Sequence, residues 1–361
     1  MMCFAFNNFK CMLINSSSST KLNADNAGKV VYTFGNAALV KDTSWSTIKR
    51  QKIQIKLNSK EMLSNNDQYM FDPLVDKCFI SGDRLFALGK EIYLKQYEEE
   101  AAKPAIASTD ETAEEKLEIY EDLHFPDLPS QEKITCVGRI YADNESKIDL
   151  SSTVLVGMDE AALRTTQLNF YRMKSLALFP GQTIVVKGIN PRGDTIYAEE
   201  IFSERNLDFA DVPQITDPLN MVVATGPYTF NDDLCYEPLH ELMSYCKQHK
   251  PDVLILVGPF LCADHSLIAD GVLAETFDSF FEKMIVGIVE VVGVDCQVLV
   301  VSSAQDAHSA AVYPTYPYGI TRTFSNLTFL PDPCIVNING VSIGLTATDI
   351  VSHLNETELA M

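Results

Sequence analysis

Three short apolar runs separated by two amphipathic stretches, between residues 221 and 301, constrain this chain more than any other feature. Met221 to Ala224, Val253 to Val257 and Val298 to Val301 contain no polar residue. A strand wetted on one face alternates polar and apolar side chains, whereas one apolar throughout is buried on both faces, as in parallel sheets. Between the runs, Cys235, Leu239, Leu242, Met243 and Cys246 return on a helical period, and so do Phe277, Phe280, Phe281, Met284, Ile285 and Ile288. Strand, helix, strand, helix, strand predicts a parallel sheet covered on both faces. A hairpin follows: Ile335 to Ile338 and Val341 to Leu345 flank Asn339-Gly340, the dipeptide that most readily takes positive φ at both turn positions.

Upstream the pattern changes. Ile134 to Tyr141, Ser152 to Gly157, Thr183 to Ile189 and Thr195 to Phe202 are short β-rich runs, parted by turn residues such as Pro180-Gly181 and Pro191-Arg192-Gly193-Asp194. This spacing predicts a small closed barrel of the OB type, with an open sandwich fragment as the alternative. Before it, Val30 to Tyr32, Ile53 and Ile55 read as strand, and Met70 to Glu99 as helix through Leu74, Phe79, Leu85, Leu88 and Ile92. The expected fold is α/β plus all-β, and 361 residues suit two domains. Its expected division is a disordered lead-in over 1–27, pre-barrel strands and helix over 28–100, an acidic linker over 101–130, a barrel over 131–208 and the parallel-sheet domain over 209–361.

Charge limits the partners. With 28 basic and 49 acidic residues the net charge is −21, so sequence-independent DNA binding through a basic surface is disfavoured. Other proteins fit better as partners. Basic residues near the barrel (Arg139, Arg164, Arg172, Lys174, Lys187) interleave with Tyr141, Phe170 and Tyr171. That is the residue mix of a single-strand groove, and equally of an ordinary barrel surface or protein-docking face. The 9 cysteines are scattered without a C-x-x-C pair, arguing against a disulfide framework and a structural zinc site. The sequons at Asn15, Asn144, Asn326 and Asn355 carry no weight in an intracellular chain. Met1 to Ile14 lacks a signal-peptide core and cleavage site, and no apolar run reaches the roughly 20 residues of a membrane span. The chain reads as soluble.

In open parallel sheets ligands gather beyond the carboxyl ends of the strands. Those ends carry Thr225-Gly226-Pro227-Tyr228, Gly258-Pro259-Phe260 and Ser302-Ser303-Ala304. A dinuclear metal hydrolase needs Asp, His and Asn there to hold two cations and acidify a bridging water. Glycine, proline and small hydroxyls cannot. Asp232, Asp233, Asp264, His265, Asp306 and His308 lie near enough for a displaced metal site, but surface loops and helix caps explain them as well. No phosphate-binding glycine loop and no nucleophile elbow occurs. The expectation is no catalytic residues, no metal and no cofactor.

The strand-end residues carry a resemblance. Leu178-Phe179-Pro180-Gly181-Gln182 leading to Gly188-Ile189-Asn190, Gly226-Pro227-Tyr228-Thr229, Pro251-Asp252-Val253 through Gly258-Pro259-Phe260-Leu261, and Asp306-Ala307-His308 before Val312-Tyr313-Pro314 resemble the B-subunits of replicative DNA polymerases, the alpha type above all. Ile338-Asn339-Gly340-Val341, Gly344-Leu345-Thr346 and Thr348-Asp349 match too, as do Val31 to Gly35 and Thr43 to Ser46. The resemblance spans roughly residues 28–360. It implies an OB-type barrel followed by an inactive calcineurin-like phosphoesterase domain of the layered α/β/β/α type, here partial and C-terminally truncated. It also implies that an N-terminal helical domain of the family has no counterpart. Gly226, Pro227, Tyr228, Gly258, Pro259, Phe260, Asp306 and His308 become signature positions at degenerate strand ends. The implied role is a non-catalytic nuclear scaffold of the DNA polymerase alpha–primase complex. It would bind the C-terminal domain of the catalytic subunit, reach the primase subunits through the complex, and touch DNA indirectly or weakly. A B-subunit of polymerase delta or epsilon is the alternative. A live phosphoesterase built on Asp264, His265, Asp306 and His308 is the enzyme alternative.

Overall fold

The computed structural model describes residues 10–11, 29–34, 53–58, 62–65, 67–101, 123–142, 148–158, 163–205 and 219–360. Most of the expected lead-in, the Thr43 to Ser46 motif and residues 102–122 of the acidic linker lie outside them. The chain divides into two units: Met1–Asp67 with Ala210–Thr348, and Gln68–Phe209 with Asp349–Met361.

In the first unit Met221–Thr225, Val253–Val257, Gln297–Val301 and Leu327–Leu330 form a parallel sheet in that order. Strand side chains alternate between faces, and the two faces meet different covers. Leu254, Leu256, Val298 and Val300 pack with Leu239, Met243, Cys246, Phe281, Ile285 and Ile288, which come from helices Glu237–His249 and Phe277–Val292. Val253, Ile255, Val257, Leu299 and Val301 pack instead with Val336, Ile338 and Leu345. Those three belong to an antiparallel sheet of Ile55–Leu57, Cys334–Ile338 and Val341–Leu345. The predicted hairpin is there, with Asn339 and Gly340 at φ 49° and 95°.

The second unit is a barrel. Ser130–Ala142, Thr153–Met158, Leu163–Asn169, Thr195–Phe202 and Thr183–Asn190 pair in that order, and Thr183–Asn190 returns to pair with Ser130–Ala142. That closure excludes the open fragment. Ile134, Cys136, Ile140, Leu155, Leu168, Ile184, Val186 and Ile196 fill the interior. Helix Leu74–Ala101 lies on the outside, packing Leu85 and Ile92 against Val137 and Val185. Contact is close at Gly89, where an added Cβ would sit 2.2 Å from Val137 Cγ1.

Three expected boundaries shift. Residues 28–100 are not one block: Ile55–Leu57 extends the hairpin sheet of the first unit, while the helix joins the barrel. The acidic linker ends before 130, because Leu123–His124 already pairs with Thr135 and Cys136, and Pro126 is buried. The domain expected over 209–361 gives up its last residues. Ile350–Thr357 is helix, and Leu359–Ala360 pairs with Ala177–Leu178 in the barrel unit, Leu359 packing onto the barrel core. In each case backbone pairing between distant residues overrides local composition.

Candidate functional site: the strand ends of the parallel sheet

The carboxyl ends of the parallel strands are packed with the chain's own side chains. At the first, Gly226 N donates to Val257 O at 2.8 Å, and an added Cβ would lie 1.9 Å from Pro259 O, so only glycine lets the two turns approach. Tyr228 is buried, its hydroxyl 3.0 Å from Ala224 O and 2.9 Å from Val257 O as donor. Its ring stacks on Phe260 with centroids 4.9 Å apart. Pro227 and Pro259 each follow a cis bond from the preceding glycine.

Asp306 ties the second end to the loop after the third. Only 2% exposed, it accepts from Phe260 N at 2.7 Å and Leu261 N at 2.5 Å through Oδ1, and from the Tyr318 hydroxyl through Oδ2. Tyr318 Oη in turn accepts from Ser303 N at 2.6 Å. His308 stands beside this network, stacked on Phe281 at 4.0 Å and 4.6 Å from the Tyr318 ring. Its Nδ1 is 3.8 Å from Asp306 Oδ1, and among the described residues neither ring nitrogen has a hydrogen-bond partner.

Burial decides the protonation here. It pushes the Asp306 carboxyl up to about 6, although the hydrogen bonds from Tyr318, Leu261 and Phe260 pull downward. It pushes the His308 imidazole down to about 4, against the pull of the Asp278 carboxylate. Tyr318 is raised far above its ordinary value by burial and by the neighbouring Asp306. At neutral pH, then, a carboxylate sits beside a neutral imidazole. Each Asp306 oxygen already accepts a hydrogen bond from the chain.

The remaining polar candidates do not converge on this network. His265 is buried, its Nε2 facing the carbonyls of Phe230 at 2.8 Å and Asp233 at 3.1 Å, so that nitrogen donates and cannot ligate. Asp264 and Asp232 are exposed, and Asp233 accepts from Cys235 N at 2.9 Å. Among the described residues, no three of His, Cys, Asp and Glu come close enough to hold a metal ion. The partner that sequence reasoning missed is Tyr318. Its signal was the aromatic-proline run Tyr313-Pro314-Thr315-Tyr316-Pro317-Tyr318, too hydrophobic for a solvated loop.

On the barrel the cations and aromatics fall into different surroundings. Phe170 is in the core. Arg164 pairs with Asp127 at 2.9 Å, Arg172 pairs with Glu199, and Lys133 reaches the same carboxylate at 2.7 Å. Lys187 lies over the Phe202 ring. Arg164 and Arg172 are thus paired with carboxylates of the barrel unit, while Arg139, Lys174, Tyr141 and Tyr171 are exposed. No helix among the described residues is long and apolar enough to cross a membrane.

Comparison with known proteins follows the same two parts. Residues 100–204 match the family model for the OB domain of the DNA polymerase alpha B-subunit, and residues 221–361 match that for the DNA polymerase alpha/epsilon B-subunit. The DNA polymerase alpha B-subunit of Drosophila melanogaster is 40% identical over 346 residues, covering 94% of this chain and 54% of the relative. That of Mus musculus is 30% identical over 349 residues, covering 92% and 53%, and that of Bos taurus 29% over 346, covering 93% and 53%. The chain spans about half the length of these curated relatives. Barrel first, glycine-proline strand ends second, and matches to both in the same order: the chain belongs to the DNA polymerase alpha B-subunit family.

Proposed function

We propose that this chain is a non-catalytic scaffold subunit of the DNA polymerase alpha–primase complex, working in the nucleus at the initiation of replication. It binds the C-terminal domain of the catalytic subunit, meets the primase subunits through the complex, and contacts DNA indirectly or weakly. The observation that carries the reading is the closed strand-end site. Where an α/β sheet presents its ligand-binding groups, Tyr228, Phe260 and Tyr318 are packed around Asp306, whose carboxylate serves the backbone. In this reading Gly226, Pro227, Gly258 and Pro259 let the turns come together, and Asp306 and His308 keep the shape of a docking face. The net charge of −21 favours a protein partner over a phosphate backbone.

The test is co-expression with the C-terminal domain of a polymerase alpha catalytic subunit, followed by size-exclusion chromatography. Co-elution in one stoichiometric peak is the expected result. Retention of the delta or epsilon counterpart in its place would refute the alpha assignment. Metal-stimulated phosphodiester hydrolysis that His308→Ala abolishes would refute the non-catalytic reading.

A further inference from the structure

Helix Leu74–Ala101 carries an apolar stripe longer than the barrel it packs on. At about 100° per residue, Gly82, Leu85, Gly89 and Ile92 share one face, and all four are buried. Continued toward the N-terminus, the same face carries Leu74, Val75 and Cys78, with Phe79 and Phe86 at its edge, and Phe71 stands just before the helix. None of these is covered: Phe71 is 82% exposed and Leu74 77%. Asp76 and Asp83, two turns apart, lie along one edge of the stripe, exposed and without an ion pair among the described residues. Ile80 stands on the opposite face.

We propose that the Leu74–Phe86 face docks an amphipathic helix of a second polypeptide, one with lysine or arginine along the edge of its apolar stripe. This surface is separate from the strand ends of the parallel sheet. Two observations select that occupant. The stripe continues an interface already built on apolar helix packing, so a further helix extends the same ridge geometry. The two aspartates along its edge ask for cations opposite. A second copy of this chain fits poorly. The barrel occupies the continuation of the stripe, so two copies could overlap only antiparallel, and antiparallel pairing sets like edges against each other. Asp76 and Asp83 would then face their own copies.

The test uses the full chain and two stapled peptide helices of about five turns. Both are leucine-striped, one with lysines along one edge and its twin with glutamates there. Fluorescence anisotropy at low and moderate salt reads the binding. The lysine peptide binds about tenfold or more tighter than its twin, and added salt narrows the gap. Leu74→Asp with Phe79→Asp weakens it by at least about tenfold, whereas Ile80→Asp leaves it unchanged. Circular dichroism and thermal melting confirm that all variants stay folded. Equal affinity for the two peptides, no binding at millimolar peptide, or binding indifferent to the double substitution overturns the proposal. So does sedimentation showing a wild-type dimer that the double substitution dissolves.

Discussion

Asp306 and His308 titrate in opposite senses, and each hides the other's effect on stability. Burial lifts the carboxyl from 3.8 to about 6. A raised folded-state pKa gives stability that is complete below the unfolded value and lost as pH rises through about 6. The imidazole falls from 6.5 to about 4, so its contribution is present above 6.5 and lost as pH falls through about 4. Acidification from pH 7.5 to 5.5 therefore gains about 1 kcal/mol at Asp306 and loses about 1 kcal/mol at His308, integrating each titration between its two pKa values. In the wild type the two cancel. Asp306→Asn removes one side: Oδ1 still accepts from Phe260 and Leu261, and the new amide donates to Tyr318 Oη. Tyr318 can then turn its own hydrogen to Ser303 O at 3.4 Å. His308→Phe removes the other and keeps the stack on Phe281. On the same acidification, relative to wild type, the Asn variant loses about 1 kcal/mol and the Phe variant gains about 1 kcal/mol, so their melting temperatures separate by roughly 4–8 °C. Thermal melts at the two pH values measure this, and hydrogen exchange of the peptide over 253–265 assigns it to the network. The chosen pH stays above the range where a chain with this excess of carboxylates loses its net charge. Parallel pH responses of both variants and the wild type would refute the reasoning.

The other predictions concern packing. Gly226→Ala places a methyl 1.9 Å from Pro259 O, forcing backbone to move; a loss of roughly 3 kcal/mol is expected in denaturant unfolding, and an unchanged midpoint would count against the close approach. Gly89→Ala sets a methyl 2.2 Å from Val137 Cγ1. Overpacking of about 1–3 kcal/mol outweighs a helix-propensity gain of up to about 1 kcal/mol, and Val137→Ala added to it costs less than the sum of the single changes. Leu359→Asp buries a charge against the barrel core and lifts Leu359–Ala360 from Ala177–Leu178. Exchange protection at Leu178 drops while the parallel sheet keeps its protection.

Elements that bury both faces were legible in the sequence, because their apolar runs admit no other solution. Val253–Val257 and Gln297–Val301 are of this kind, as is the Asn339-Gly340 hairpin with its specific turn chemistry. Leu163–Asn169 was missed, since its text Leu-Arg-Thr-Thr-Gln-Leu-Asn offers two apolar residues and its strand character comes from pairing on both sides. Leu327–Leu330 was missed as well, being half-buried at the edge of the parallel sheet. That glycine and proline stand at the strand ends could be read from Gly226-Pro227 and Gly258-Pro259. What fills them could not, because Tyr318 reaches Asp306 from the far end of a loop whose path no local pattern encodes.

The pairing of Leu359–Ala360 with Ala177–Leu178 sets an order on synthesis. The five strands that close the barrel are contiguous, ending at Phe202, and can close once they leave the ribosome. The clasp on Leu178 cannot, since Leu359 is made 359 − 178 = 181 residues later. At roughly 5–20 residues per second, that is a delay of roughly 10–40 s, during which the whole of Ala210–Thr348 emerges and can fold. The barrel can thus close before Ala210–Thr348 is made but gains its clasp only after it, and for that interval the newborn chain carries an open strand at Ala177–Leu178.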